Sequence, residues 1–239
     1  MEQIKEILFT GGYDSTFMLC KMAREESNIQ PYYIKLSKKR TTSIELERIN
    51  IILDLLSKKD DIKSTILPLQ TYNDYEYEPD ETIKRAFNTY KDEYQLGWQY
   101  LYLSQFAKTH VGIALGQERY YKTPGHLTRF LTKHGHMQFD NNGVGYLPKD
   151  IDPDVYNLFG NYTYPIAKYY ELLMYNKFKE WNYEDIMSNV WFCHNPKHGK
   201  PCGYCTPCKT KLKQHMFMLF PYEVLIKYKN FMQERVDYI

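Results

Sequence analysis

EILFTGGYDSTFMLCKMA, residues 6–23, joins a short apolar run to two glycines, then Tyr13, then Asp14-Ser15-Thr16 at the head of a segment with helical spacing. The run over residues 4–9 is short, mostly apolar and ends at Gly-Gly, which predicts a buried strand. From Ser15 to about Glu26 the spacing predicts a helix, with Phe17, Leu19, Cys20 and Ala23 on its apolar side. A parallel strand that hands a glycine turn to a helix start makes an anion site. The glycines let backbone approach the ligand, and unpaired N–H groups point at it. Hydroxyls on Thr10, Ser15 and Thr16 add donors, and Asp14 can hold a magnesium ion that neutralises phosphate charge. No lysine follows the glycines as a Walker loop requires, and the Gly-x-Gly-x-x-Gly spacing of dinucleotide folds is missing. The competing reading is a tight strand-to-helix turn capped by Asp14 or Ser15.

Working outward, residues 31–36 predict a second strand and residues 43–56 a helix, with Ile44, Leu46, Ile49, Ile52, Leu53 and Leu56 at helical spacing. Residues 64–69 predict a third strand. The β-α-β-α-β order implies an α/β fold on a parallel sheet with right-handed crossovers. A polar segment over 70–92 reads as loop plus one short helix. Residues 99–108 predict a helix and 111–116 a fourth strand, again ending in glycine. Residues 122–150 read as a long irregular or helical insertion, and 164–181 as one helix after a short lead-in. Residues 212–236 read as mostly helical, interrupted near Pro221.

Four of the five cysteines lie between Cys193 and Cys208, as C-HNPKHGKP-C-GY-C-TP-C; Cys20 stands alone. Four thiolates suit tetrahedral zinc, with Pro196, Gly199, Pro201, Gly203 and Pro207 turning the chain around one ion. With Cys193, Cys202, Cys205 and Cys208 as ligands no position is open, so the metal is expected to be structural. An iron–sulfur cluster and a reduced thiol cluster are the rivals. The expected division is an α/β domain carrying this anion loop over 1–185 and a zinc element with helices packed on it over 186–239.

The chain is 239 residues, 43% hydrophobic and 25% charged, which is a globular composition. No apolar run approaches the roughly 20 residues that span a bilayer. MEQIKEILF has no basic segment followed by a long apolar stretch, so the expected location is the cytoplasm, without a membrane. A net charge of +2 does not by itself argue for nucleic acid. The 24 tyrosines, many beside lysine as in Tyr120-Tyr121-Lys122, read as amphipathic surface and core-edge residues, with base stacking as the rarer use.

Thr10-Gly-Gly-Tyr-Asp-Ser-Thr16 resembles the Ser-Gly-Gly-x-Asp-Ser loop of the PP-loop ATP pyrophosphatase superfamily, with Thr10 keeping the hydroxyl. Together with Cys-x8-Cys-x2-Cys-x2-Cys near the other end, the chain resembles the 7-cyano-7-deazaguanine synthase family of queuosine-type biosynthesis. The resemblance implies an adenine nucleotide alpha hydrolase-like (Rossmann-like) fold, usually a homodimer. It implies conversion of 7-carboxy-7-deazaguanine, ammonia and ATP to a nitrile through two adenylations. Thr10, Gly11, Gly12, Asp14, Ser15 and Thr16 would bind the ATP phosphates with Mg2+, and Gly116 would lie beside the nucleotide. Asp14, Ser15 and Lys168 are the expected catalytic residues, and Cys193, Cys202, Cys205 and Cys208 would hold Zn2+.

The substrate segments differ. Where the family has an acidic residue and Ser-Gly-Tyr-Pro-Asp-Cys-Arg, this chain has LGQERYYKTPGH, residues 115–126. The family's Pro-Gly-Arg-Asn appears as Leu96-Gly97-Trp98-Gln99, and its Thr-Pro-Leu with a following lysine as Tyr164-Pro165-Ile166-Ala167-Lys168. Arg119, Lys122, Arg129 and Lys168 are candidates to hold an anionic substrate or phosphate. A changed acceptor follows: a related carboxylate, a modified base, a nucleic acid or a protein terminus. The alternatives are a PP-loop enzyme of tRNA or nucleobase modification such as thiolation, and a non-catalytic nucleotide-binding zinc protein.

Overall fold

The computed structural model describes residues 4–25, 27–119 and 126–228. The candidate Lys122 lies outside the described residues. The chain begins β1 (Ile4–Leu8), α1 (Tyr13–Ala23), β2 (Asn28–Lys35) and α2 (Thr42–Ser57). Next come β3 (Thr65–Ile66), β4 (Gln70–Asn73), α3 (Glu81–Tyr94), α4 (Gln99–Thr109) and β5 (Ile113–Ala114). The third quarter holds α5 (His126–Phe130), β6 (Gln138–Phe139), β7 (Gly145–Tyr146), α6 (Pro153–Phe159) and β8 (Tyr162–Tyr164). α7 (Glu171–Glu180), α8 (Glu184–Met187) and α9 (Thr206–Lys213) follow, and residues 222–228 are helical.

The strands form one sheet in the order β3-β2-β1-β5-β8-β7-β6, with β4 also paired to β2. The pairs among β1, β2, β3, β4, β5 and β8 are parallel, and β6-β7 and β7-β8 are antiparallel. The protein is thus α/β on a mixed, mostly parallel sheet, compatible with a Rossmann-like fold. The chain grows from β1 toward β2 and then returns to the other side of β1 with β5. That reversal opens a crevice at the carboxyl ends of β1 and β5, where open α/β sheets bind ligands.

Of the third strand expected over 64–69 only Thr65–Ile66 forms, and the pairing with β2 resumes beyond it as β4; Pro31 explains the interruption. Leu67 donates its N–H to Ile29 O, so residues 29, 31 and 33 of β2 face the outer edge. Pro31 has no N–H to offer there. The ladder stops after Ile66 and resumes at Gln70, opposite Tyr32. The Gln30 side chain fills the gap by donating to Pro31 O at 3.1 Å and Pro68 O at 2.8 Å.

Strand alternation divides the core between the two faces. Ile7, Phe9, Ile29 and Tyr33 pack on one face with Phe17 of α1, Ile49 of α2 and Met174 of α7. Leu8, Tyr32 and Ile34 pack on the other with Ile83 of α3, Phe106 of α4 and Leu158 of α6. Both faces of β1 and β2 are covered, which is why Ile7-Leu8 and Tyr32-Tyr33-Ile34 are apolar at consecutive rather than alternate positions. The fully buried Phe17 contributes roughly 1.5–3 kcal/mol by leaving water. Tyr33, Tyr162, Tyr164 and Tyr183 are fully buried, so these tyrosines are core residues. Cys193, Cys208 and Leu212 belong to the same cluster as Phe17, so the cysteine segment packs directly on the α1 side of the sheet.

Two segments differ from expectation. The polar stretch 70–92 contains β4 and most of the 14-residue α3. Its helix is started by Asp80, whose carboxylate accepts from the N–H groups of Thr82 and Ile83, each at 3.0 Å. Residues 164–181 hold the one expected helix, α7, but it begins only at Glu171, after a longer lead-in that follows the end of β8 at Tyr164. Among the described residues no helix is long and apolar enough to cross a membrane.

Candidate functional site

The loop from β1 into α1 is shaped by its two glycines. Gly11 has φ +66°, and a Cβ there would stand 3.0 Å from Ile49 Cγ1. Its carbonyl accepts from Trp191 N–H at 2.8 Å, which ties the loop to the segment before Cys193. Gly12 caps α1 with extended backbone and no side-chain cap bond. The intrahelical ladder opens with Thr16 N–H to Gly12 O at 2.9 Å. The first-turn N–H groups of Tyr13, Asp14 and Ser15 therefore have no place in that ladder, the arrangement that favours an anion. The competing capped turn is not what forms. Ser15 Oγ lies 3.1 Å from Thr10 Oγ1 and 3.3 Å from Gly12 O, so these hydroxyls line the loop.

Gly116 closes the other side of the crevice. A Cβ on it would stand 3.0 Å from Ser15 N and 3.1 Å from Ser15 Cα. Only a glycine lets the end of β5 come this close to the start of α1.

Three carboxylates converge beside this helix start. Asp14 of α1, Glu118 two residues past Gly116, and Glu171 of α7 place carboxylate oxygens within 4.8 Å of one another. Glu118 is 8% exposed and Glu171 6%. Lys211 of α9, 7% exposed, joins them. Its ammonium bonds to Glu171 Oε1 and lies 4.4 Å from the centre of the Tyr13 ring. Tyr13 Oη donates to Glu171 O at 3.2 Å. Burial, with Asp14 next, pushes the Glu118 carboxyl up to about 10. Burial also raises Asp14 and Glu171, with Lys211 opposing in both. For Lys211 burial disfavours the ammonium, but Asp14, Glu171 and Glu118 outweigh it and hold the proton. Asp14 Oδ1, Glu118 Oε2 and Glu171 Oε2 are buried without a hydrogen-bond partner.

The four clustered cysteines converge as well. Cys202 Sγ lies 3.9 Å from Cys208 Sγ, and Cys205 Sγ lies 3.9 Å from Cys193 Sγ. A tetrahedral ion with metal–sulfur bonds of about 2.3 Å sets its sulfurs about 3.8 Å apart. An iron–sulfur cluster, several atoms across, holds its thiolates further apart. The four residues could therefore hold one metal ion such as zinc, with all positions filled. Cys202 N–H points at Cys193 Sγ at 3.2 Å and Cys205 N–H at Cys202 Sγ at 3.4 Å, contacts that favour thiolates. Cys205 is the N-cap of α9, and Lys211 stands one turn beyond Cys208 on that helix. A metal ion held by these four sulfurs would fix the helix that brings a lysine to the carboxylates.

Thr10, Gly11, Gly12, Asp14, Ser15, Thr16 and Gly116 come together as one crevice. Thr16 is fully buried, with its Oγ1 unpartnered. Lys168 is elsewhere: it is exposed, with its ammonium 4.3 Å from the centre of the Phe139 ring on the β6–β7 hairpin. Arg129 is exposed over Tyr94, 5.9 Å from the ring centre. Arg119 is exposed, next to the crevice by sequence, with its N–H on Tyr169 O at 2.6 Å. Cys20 is buried among apolar side chains on α1, and burial raises its thiol well above the ordinary value.

Sequence reasoning missed Glu118, Glu171 and Lys211. A carboxylate two residues past the strand-ending Gly116 was a usable signal for Glu118. Glu171 and Lys211 carry no local signal, because only the folded chain brings them to Asp14. A groove of about 920 Å3 lined by Ile4, Lys5, Glu6, Val111 and Gly112 includes none of these site residues. No protein-family model matches the chain, and no curated protein matches it.

Proposed function

We propose that the chain is an ATP-dependent, carbon–nitrogen bond-forming ligase of the PP-loop type. It activates a carboxylate by adenylation for attack by ammonia or another amine. The observation that carries this reading is the uncapped start of α1, approached by Gly116 and edged by the hydroxyls of Thr10 and Ser15. Such a start takes a polyphosphate through its N–H groups and its dipole. The neighbouring carboxylates of Asp14 and Glu118 suit the magnesium that accompanies a nucleoside triphosphate.

The chemistry balances as follows. A carboxylate oxygen of the acceptor attacks the α-phosphorus of ATP, and pyrophosphate leaves onto the helix start. The amine nitrogen attacks the acyl carbon, loses a proton to solvent, and AMP leaves. With ammonia as the amine the product is a primary amide. A second activation at the amide oxygen, again releasing pyrophosphate, followed by loss of AMP and of both nitrogen-bound protons to solvent, gives a nitrile. The loop residues position and neutralise charge, and no dedicated base is required. The four thiolates hold Zn2+ and keep α9 in register. Candidate acceptors are 7-carboxy-7-deazaguanine and related carboxylates, including macromolecular ones.

The test is release of AMP from ATP by purified protein, with 7-carboxy-7-deazaguanine and ammonium present or withheld, and mass spectrometry of the product. Acceptor-dependent AMP with an amide or nitrile supports the reading. ATP bound without AMP release under any acceptor replaces it with a nucleotide-binding zinc protein. Asp14→Ala should abolish AMP release in a folded chain; unchanged turnover removes the loop from the mechanism.

A further inference from the structure

We infer that Asp14, Glu118 and Glu171 form a site for one oxygen-seeking divalent cation, Mg2+ or Mn2+, which binds before and without any nucleotide. This goes beyond a magnesium ion carried in by ATP. The three carboxylates come from α1, the β5 exit and α7, and their oxygens lie within 4.8 Å of one another. Each carries one buried oxygen with no partner: Asp14 Oδ1, Glu118 Oε2 and Glu171 Oε2. On Glu171 the other oxygen is held by Lys211, which leaves Oε2 open toward the cluster.

Charge argues the same way. Fully ionised, three carboxylates against one ammonium leave an interior surplus of two negative charges. A buried surplus of that size is relieved by protons or by a cation. A divalent cation balances it and gives all three open oxygens a partner at once. Three carboxylates make a dedicated oxygen site, and coordination positions remain for water or a phosphate. Thiolates 193, 202, 205 and 208 are the softer set and keep zinc. Glu171 thus becomes a ligand from an element that the phosphate loop does not include.

The experiment titrates the zinc-loaded full chain, freed of other divalent ions, with MnCl2 near neutral pH and without nucleotide. Free Mn2+ is read by electron paramagnetic resonance. One Mn2+ per chain, displaced by Mg2+, is expected. Glu118→Gln and Glu171→Gln should each weaken binding more than about tenfold, with zinc content unchanged. Lys211→Met, which removes the competing ammonium, should tighten it. No Mn2+ bound by the wild-type chain at millimolar concentration overturns the site, whether or not the variants fold. So does undiminished binding in both glutamine variants. Mn2+ bound with no affinity for ATP keeps the cation site and removes the ATP reading. ATP bound by a chain that takes up no Mn2+ alone does the reverse.

Discussion

Lys211 and Glu171 form an ion pair in the interior, their side chains 9% and 6% exposed. The lysine comes from the helix that begins at the cysteine cluster, and the glutamate from the helix that follows β8. Removing one partner of a buried pair leaves the other uncompensated, at about 3–5 kcal/mol. Lys211→Met strips the only ammonium that the described residues place among Asp14, Glu118 and Glu171. We expect its unfolding midpoint to drop, and to drop more at mildly alkaline than at mildly acidic pH, where the carboxyls take up protons. Thermal melts at both pH values check this. An equal drop at both would mean that only packing was lost.

The same connection makes the cysteine cluster matter to the crevice. Cys205 is one of the four clustered cysteines and the N-cap of α9. Serine is a good N-cap, so Cys205→Ser isolates the loss of a ligand from the loss of a cap. Metal binding is coupled to folding, and we expect zinc content and unfolding midpoint to fall together. Mass spectrometry of metal content beside a melt reads both. A zinc-free, fully stable variant would show that packing alone holds α9.

Gly116 tests the approach of β5 to α1. In Gly116→Ala the new methyl meets Ser15 backbone at 3.0 Å, and a backbone neighbour does not yield as a side-chain tip does. Overpacking of this kind costs about 1–3 kcal/mol. We expect ATP affinity to fall by about tenfold or more while the chain stays folded. Gly97→Ala is the control, since its Cβ would meet only Gln99 side-chain atoms, at 3.6 Å or more. Calorimetric titration with ATP compares the two, and equal affinities would separate Gly116 from the nucleotide.

The parts of the fold that were legible are those governed by local pattern. β1, α1, β2 and α2 follow from apolar runs and glycine punctuation, and the Thr10–Thr16 loop is contiguous in sequence. A short helix was expected within 70–92, but the 14-residue length of α3 was hidden by its polar surface, although Asp80 two residues before Thr82 is a capping signal. β8 left no sequence signal because Tyr162-Thr-Tyr164 is too short to show its period. The cysteine spacing announced a cluster, but not that its helix brings Lys211 to Asp14. Lys168 was expected at the chemistry from a motif, yet it lies over Phe139; Lys211, from a different helix, is the lysine beside Asp14. Long-range charge pairing of this kind leaves no periodic trace.

Glu118 gives the sharpest dependence on pH. Burial first, and then Asp14, lift its carboxyl to about 10, against about 4.3 in an unfolded chain. A carboxyl raised by folding is protonated in the native state while its unfolded counterpart ionises. Its contribution to stability is full below about pH 4 and drains away as pH rises toward 10. Glutamine keeps the neutral shape and cannot ionise. Without divalent cations, Glu118→Gln should match the wild-type chain in acid and exceed it at mildly alkaline pH by on the order of 1 kcal/mol or more. Denaturant titrations across that range measure the difference. Added Mg2+ should shrink it, because a cation on Asp14, Glu118 and Glu171 stabilises the ionised wild-type cluster and finds one ligand fewer in the variant. A variant with the wild-type pH slope would mean that Glu118 stays ionised in the fold and that its burial is offset by other groups.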